Sequence, residues 1–394
     1  MLRPQDNATR ETKNLDGIWS FALDRDQLPG AGEMAVPASY NDIAADPAVH
    51  DHVGPVWYQR TAWIPAGWQG RRIVLHLESA THRATVWVDD VEVVSHEGGY
   101  LPFEADITNH VIPGAAVRLT IEVDNTLTFQ TIPPGVVDDT PHGKRQRYWH
   151  DFFNYAGLHR SIWLYATDHT YVDDVTVRTD LDGETGLVHY ATVVAGPAAD
   201  SPAADREVAV VLRDAGGVEV ASASGAAGTL TVPEVTPWRP GHGYLYDLEL
   251  QLRRGGELID CYHQSVGVRT VRVDGAKFLI NGEPFQFTGF GKHEDIGVIG
   301  KGHNDAYMLH DFALMEWIGA NSIRTSHYPY SEAVLDYADR HGFVIIDETP
   351  AVGLNMGLGG GIFGAQGYTT FSPETANDVT QAVHAQHIRE LIAR

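Results

Sequence analysis

The sequence predicts two β-rich modules followed by the opening part of a (β/α)₈ barrel, and three observations carry that reading. Short runs in which apolar and polar residues alternate recur at sandwich spacing as far as residue 272. From residue 273, strand-like and helix-like stretches take turns, the order of a parallel α/β fold. Among them Phe343-Val344-Ile345-Ile346-Asp347-Glu348 is a near-continuous apolar run, the mark of a parallel strand covered on both faces.

The first module spans 1–168. It opens on Leu15-Asp16-Gly17-Ile18-Trp19-Ser20-Phe21, a strand with a glycine-associated turn, and continues through strands at 56–64, 72–77, 85–88, 117–123 and 161–165. The second module, 169–272, holds strands at 171–177, 208–212, 228–232, 246–250 and 259–266. Its length and some seven strands predict a small immunoglobulin-like sandwich, without the Cys–Trp–Cys spacing of antibody domains. Stretches rich in Gly, Ala and Pro at 195–204 and 215–228 read as exposed turns.

The third module, 273–394, reads as strand 285–290, helix 305–318, strand 321–325, helix 331–340, strand 343–348, a glycine-rich stretch 353–368 and helix 375–394. Met308, Phe312, Met315 and Ile318 give the first helix an apolar stripe, and Ser331 is placed to cap the second. Only about three βα units fit before Arg394, so the barrel is expected to be incomplete within this chain.

Composition excludes some classes. The formal net charge of −24 argues against nucleic acid, whose phosphates demand clustered Lys and Arg. No run of about 18 apolar residues is present, so no membrane-spanning helix is expected. A single cysteine, Cys261, allows no intrachain disulfide; it lies in a strand-like run and reads as a small strand residue. A polar N-terminus and that lone cysteine predict a cytoplasmic protein. The histidines show no convincing ligand spacing, so neither metal nor cofactor is expected.

Barrel chemistry sits just after the C-terminal ends of the strands. That rule selects Gly291-Lys292-His293-Glu294-Asp295, Ser326-His327-Tyr328-Pro329-Tyr330, and Asp347-Glu348-Thr349. Each has a bland alternative: His293 and Glu294 as a surface pair, His327 as a structural histidine, and Arg324 paired with a barrel carboxylate. Asp347 and Glu348 could equally tie strands and loops together. The 353–368 stretch is long for a βα connection. Its Leu354, Met356, Leu358, Ile362 and Phe363 fit an apolar lid or a tolerated surface insertion.

In the first module, Tyr148-Trp149-His150-Asp151-Phe152-Phe153-Asn154-Tyr155 has no clean polar face. Asp151 and Asn154 among aromatics suit a sugar, whose hydroxyls need carboxylates and amides and whose C–H faces need rings; a loop packed between modules is the plainer reading.

Taken together these runs resemble glycoside hydrolase family 2. Asn321-Ser322-Ile323-Arg324-Thr325-Ser326-His327-Tyr328-Pro329 is similar to the family's barrel signature. Phe103–Asp106, Gln130–Gly135, Asp151–Arg160, Phe287–Asp295 and Trp317–Asn321 resemble its branch acting on β-D-glucuronides. The resemblance covers Met1 to Arg394 and implies a jelly-roll sugar-binding domain, an immunoglobulin-like domain and a TIM-barrel catalytic domain. It further implies that Asp151, His293 and His327 contact substrate, that Arg324, Glu294, Asp347 and Glu348 support the site, and that the 353–368 loop shapes aglycone access. Its ligands would be β-glucuronide small molecules or glycan ends, and the full-length protein a homo-oligomer.

The family's acid/base lies in an Asn-Glu-Pro motif and its nucleophile is a later Glu; this sequence has no Asn-Glu-Pro and no Asn-x-Lys pair to read a carboxylate. Retaining glycosidases need two carboxyls about 5–5.5 Å apart. The chain is therefore expected to be an N-terminal portion of a retaining enzyme, inactive alone, with both catalytic glutamates beyond Arg394. Two rivals stand beside this: a family 2 β-galactosidase or β-mannosidase, and a non-catalytic carbohydrate-binding scaffold.

Overall fold

The first strands form two facing antiparallel sheets, as the alternating runs require. In the computed structural model, which describes all residues except 29–30, 142, 198–205 and 357–370, one sheet has six strands. Their order is Gly32–Val36, Gly17–Ala22, Pro55–Trp63, Ala116–Asp124, Arg83–Val88 and Val91–Glu97. The other has four, in the order Glu11–Asn14, Ile162–Thr167, Arg72–Leu77 and Phe103–Asp106. Alternation decides which side chains meet: Val56, Tyr58 and Ala62 are buried against Trp19, Leu75 and Ile121, while Trp63 points out.

Strand Arg72–Leu77 departs from alternation and is buried at every position. Its second face is covered by a polar cluster. His76 and Tyr165 both hold Glu104, at 3.3 and 2.9 Å, and the Arg72 guanidinium stacks 4.0 Å from the Tyr171 ring at the start of the next module. Polar groups can be covered there because each has a partner.

The second module is a sandwich of a three-stranded sheet (Tyr171–Asp182, Thr185–Ala195, Ala227–Val232) and a four-stranded one (Glu219–Ser224, Arg206–Arg213, Tyr246–Arg254, Glu257–Val266). Val188, Val210, Leu248 and Leu250 fill the space between them. The free side of edge strand Glu257–Val266 is clasped by the N-terminal segment. Gln5 pairs with the His263 backbone, Asn7 donates to the Cys261 carbonyl at 2.9 Å, and the Cys261 N–H donates to Thr9 at 2.8 Å. Arg10 then forms a buried two-pronged pair with Asp260, at 2.9 and 2.6 Å, while the Val172 N–H donates to the same carboxylate at 2.8 Å.

A small antiparallel sheet (Val271–Asp274, Lys277–Ile280, Glu283–Pro284) leads into three parallel strands: Gly289–Lys292, Ser322–Thr325 and Val344–Ile346. Helices Asp305–Trp317 and Glu332–His341 connect them, and helix Asp378–Ala393 follows. Each helix begins where a cap is available: Asn304, Ser331 and Asn377 accept backbone N–H groups. Gly342, with φ of 75°, ends the second helix in the left-handed region. The first parallel strand starts later than the apolar run suggests. Phe285 and Phe287 instead cluster with Phe278, at 6.4 and 5.0 Å between ring centres. The covering of both faces expected for the third strand is partial, since Ile346 is 47% exposed.

The first and third modules share one core. Tyr100 and Phe152 pack with Phe312, Ile323, Tyr328 and Tyr330, and Tyr100 stacks on Tyr328 at 4.3 Å. Arg160, buried, donates to the Tyr100 carbonyl at 2.8 Å and the Pro329 carbonyl at 2.6 Å. This seam fixes where loop 149–160 lies against the parallel strand ends.

Candidate active site

Three side chains from two modules converge at the C-terminal ends of the first two parallel strands. His293 follows strand Gly289–Lys292, His327 follows Ser322–Thr325, and Asp151 arrives on the aromatic loop of the first module. His327 Nε2 lies 3.9 Å from Asp151 Oδ1, and the two imidazole rings are 5.3 Å apart, edge to face. Phe152 forms the floor, 5.4 Å from His293 and 6.1 Å from His327, nearly parallel to the latter. The wall beyond His327 is charged: Arg324 Nη2 is 3.1 Å from His327 Nδ1, and Arg324 Nε is 2.7 Å from Glu348 Oε2.

These contacts fix proton positions. A guanidinium only donates, so Nδ1 of His327 accepts and the neutral ring carries its proton on Nε2, facing Asp151. Burial and then the charge of Lys301 hold the His293 pKa below its ordinary value, so the His293 ring is neutral near pH 7. Asp151 is 58% exposed and supplies the carboxylate of the rim. Ring faces, an imidazole N–H and an open carboxylate are groups that grip a polyol. The same three residues have donor atoms within 4.8 Å of one another and could approach a cation. The Arg324 guanidinium beside His327 opposes that use.

The expected supporting residues divide. Glu348 belongs to the site through Arg324 and, at 3.8 Å, His327 Nδ1. Asp347 turns away, accepting from Thr325 Oγ1 at 2.9 Å and from Arg394. Glu294 is turned inward and lies 3.7 Å from the Arg160 guanidinium, so it braces the seam between modules rather than facing His327. Of the lid residues, Leu354 and Met356 are placed, with Met356 fully buried and the Leu354 carbonyl accepting from Thr375 at 3.0 Å. Leu358, Ile362 and Phe363 lie outside the described residues.

Sequence reasoning missed two groups. Lys301 is buried, its Nζ 3.8 Å from the Tyr328 ring centre and 4.0 Å from that of Phe152, with Asp295 Oδ1 also at 3.8 Å. Burial pushes its pKa down to about 8. A cavity of about 30 Å³ lies beside it, lined also by Lys292, Glu294 and Asp311. His150 is buried between Tyr148 and Phe152, at 4.1 and 4.4 Å, and desolvation holds it well below the ordinary histidine range. A lone Lys between two glycines carries no pattern that could have flagged it; His150 could have been found from its place in the aromatic run.

Comparison with known proteins covers the whole chain. Residues 12–168 match the model for the sugar binding domain of glycosyl hydrolases family 2, residues 170–269 match a second model of that family, and residues 271–394 match its TIM barrel domain. The chain is 47% identical over 412 residues to a beta-glucuronidase of Paenibacillus borealis, covering 100% of this chain and 67% of that one. It is 41% identical over 432 residues to the beta-glucuronidase of Homo sapiens, covering 100% and 63%. A solved beta-D-glucuronidase of Dictyoglomus thermophilum superposes with a TM-score of 0.92 at 40% identity, covering 100% and 66%. One from Ruminococcus gnavus, in complex with D-glucuronic acid, gives 0.90 at 35% identity, again covering 100% and 66%. The chain thus spans about two thirds of the length of the relatives it matches.

Proposed function

The chain belongs to glycoside hydrolase family 2, and from that premise we propose that its site is the sugar-gripping rim of a retaining β-glucuronidase. The convergence of Asp151, His293 and His327 on Phe152 carries the reading, because it unites the sugar-binding module with two barrel strand ends. On this reading Asp151 and the Nε2 proton of His327 hold sugar hydroxyls, while His293 lines the same face. Arg324 and Glu348 orient His327. Leu354 and Met356 form the described edge of an aglycone-shaping loop. The division at 168/169 and 272/273, the unfinished barrel, homo-oligomerisation and a cytoplasmic location belong to the same proposal.

On this reading the strand-end carboxylates Glu294, Asp347 and Glu348 are not the family's catalytic pair. Glu348 is pinned by Arg324, Glu294 is drawn into the seam, and Asp347 is held by Thr325 and Arg394. Acid/base chemistry and nucleophilic attack are therefore assigned to glutamates outside these 394 residues, with two carboxyls about 5–5.5 Å apart in the whole enzyme. The test uses chromogenic β-D-glucuronide and β-D-galactoside with the 394-residue chain and with a chain extended through the rest of the family's barrel. Turnover of the glucuronide by the extended chain alone supports the proposal. Preference for the galactoside overturns the substrate, and turnover by the short chain that Glu348→Gln abolishes overturns the assignment of the carboxylates.

A further inference from the structure

The outer face of the four-stranded sheet carries a cluster that the sugar site does not use. Cys261 and His263 lie two residues apart on strand Glu257–Val266, so both side chains leave the same face. On the neighbouring strand Glu249 lies opposite His263, and Gln251 opposite Cys261. Cys261 Sγ is 3.5 Å from His263 Nε2 and 3.9 Å from Glu249 Oε1, and the three donor atoms lie within 4.8 Å of one another. We propose that Cys261 Sγ, His263 Nε2 and Glu249 Oε1 form a zinc site, completed by water.

The spacing suits the ion. Tetrahedral zinc, with Zn–S of about 2.3 Å and Zn–N or Zn–O of about 2.0–2.1 Å, sets sulfur and its nitrogen or oxygen neighbours about 3.5 Å apart. The surrounding groups aim the ligands. His263 Nδ1 is bonded to Asp247 Oδ2 at 2.9 Å, leaving Nε2 for a metal, the carboxylate–histidine arrangement that outer shells use. Arg213 holds Glu249 Oε2 with two bonds of 3.2 Å, so Oε1 is presented to the cluster; Gln251 donates to Oε1 at 2.6 Å and leaves it a second lone pair.

Charge and access agree. A Cys261 thiolate, Glu249 and Asp247 set three negative charges against Arg213 and, one residue further out on Gln251, Arg253, a net negative charge that favours a cation. Thiolate with imidazole selects zinc over magnesium or calcium. Cys261 is buried, while the His263 and Asp247 side chains are 39% and 42% exposed, so an ion enters from solvent. The clasp of Gln5, Asn7 and Thr9 fixes the Cys261 and His263 backbone beneath the site. On binding, the Cys261 S–H bond and the His263 Nε2–H bond, which the Asp247 contact holds protonated up to about pH 10, both break; two protons pass to solvent as Zn–S and Zn–N bonds form, and nothing is oxidised or reduced.

The test titrates the chelator-stripped 394-residue chain with Zn(II) by calorimetry and with Co(II) by absorbance. One zinc per chain is expected, with affinity falling about 100-fold in Cys261→Ser and about 10- to 100-fold in Asp247→Asn. Cobalt should give a thiolate charge-transfer band that Cys261→Ser removes. A His293→Gln, His327→Gln double variant should retain both signals, which separates this site from the sugar rim. Zinc binding unchanged by Cys261→Ser overturns the proposal, as does a wild-type cobalt spectrum without the charge-transfer band, a measurement that needs no variant to fold.

Discussion

Lys301 sits where its charge is least at home. Its pKa falls from 10.5 to about 8 through burial, so below pH 8 the folded chain carries the full cost of a desolvated ammonium, and above about pH 10.5 none. At about 1.36 kcal/mol per pKa unit the cost is about 3 kcal/mol. Attraction to the faces of Tyr328 and Phe152 returns roughly 1–2 kcal/mol. Lys301→Met keeps the stem and removes the charge. It should therefore raise stability at pH 7 by about 1–2 kcal/mol in urea unfolding, with the gain gone above pH 10.5. A loss at pH 7 would show that the ring contacts outweigh desolvation. Residues of this kind are the illegible part of the site. Asp151, His293 and His327 could be read because strand ends and an aromatic loop announce polar groups, whereas Lys301 becomes singular only once the chain folds around it. Glu294 shows the converse: it lies at a strand end as read, yet the buried Arg160 guanidinium draws it into the seam.

At the scale of elements, alternation told which strands exist wherever one face is buried and the other wet. Tyr246–Arg254, with Leu248, Leu250 and Leu252 inward, is such a case. At Arg72–Leu77 the strand lies where it was read, but a second layer covers its outer face and burial does not alternate; at Phe285 and Phe287 aromatic clustering competes with pairing and the strand starts later. Nothing in the periodicity indicated that residues 5–10 would clasp an edge strand. That clasp depends on the Arg10–Asp260 pair, both side chains at most 3% exposed. Asp260→Asn leaves a guanidinium buried with half its partner gone. It should cost about 3–5 kcal/mol by chemical denaturation, and also free residues 5–9 to hydrogen exchange. A loss under 1 kcal/mol would mean that the Val172 and Thr9 contacts suffice.

The whole molecule is held by a seam rich in neutral histidines. Burial pushes His82 and His387 down to about 4, and holds His150 and His159 well below their ordinary value. Folded pKa values lie below the unfolded 6.5, so this stability is present above pH 6.5 and is lost as pH falls toward 4. Each of the two valued sites contributes on the order of 3 kcal/mol when fully titrated. Melting temperature should therefore fall steeply between pH 6.5 and 4.5, with the Ser39–His159 bond of the first module and the Lys301 N–H to Ser39 Oγ bond that ties it to the third opening together. A flat profile across that range would contradict the placement of these rings.

The clasp also sets a clock on synthesis. Arg10 leaves the ribosome 250 residues ahead of Asp260, and Asn7 254 residues ahead of Cys261. At roughly 5–20 residues per second that interval is about 12–50 s. The N-terminal segment waits in solvent while the first sandwich closes, and the exposed flank of the second is the last surface of these two modules to be sealed.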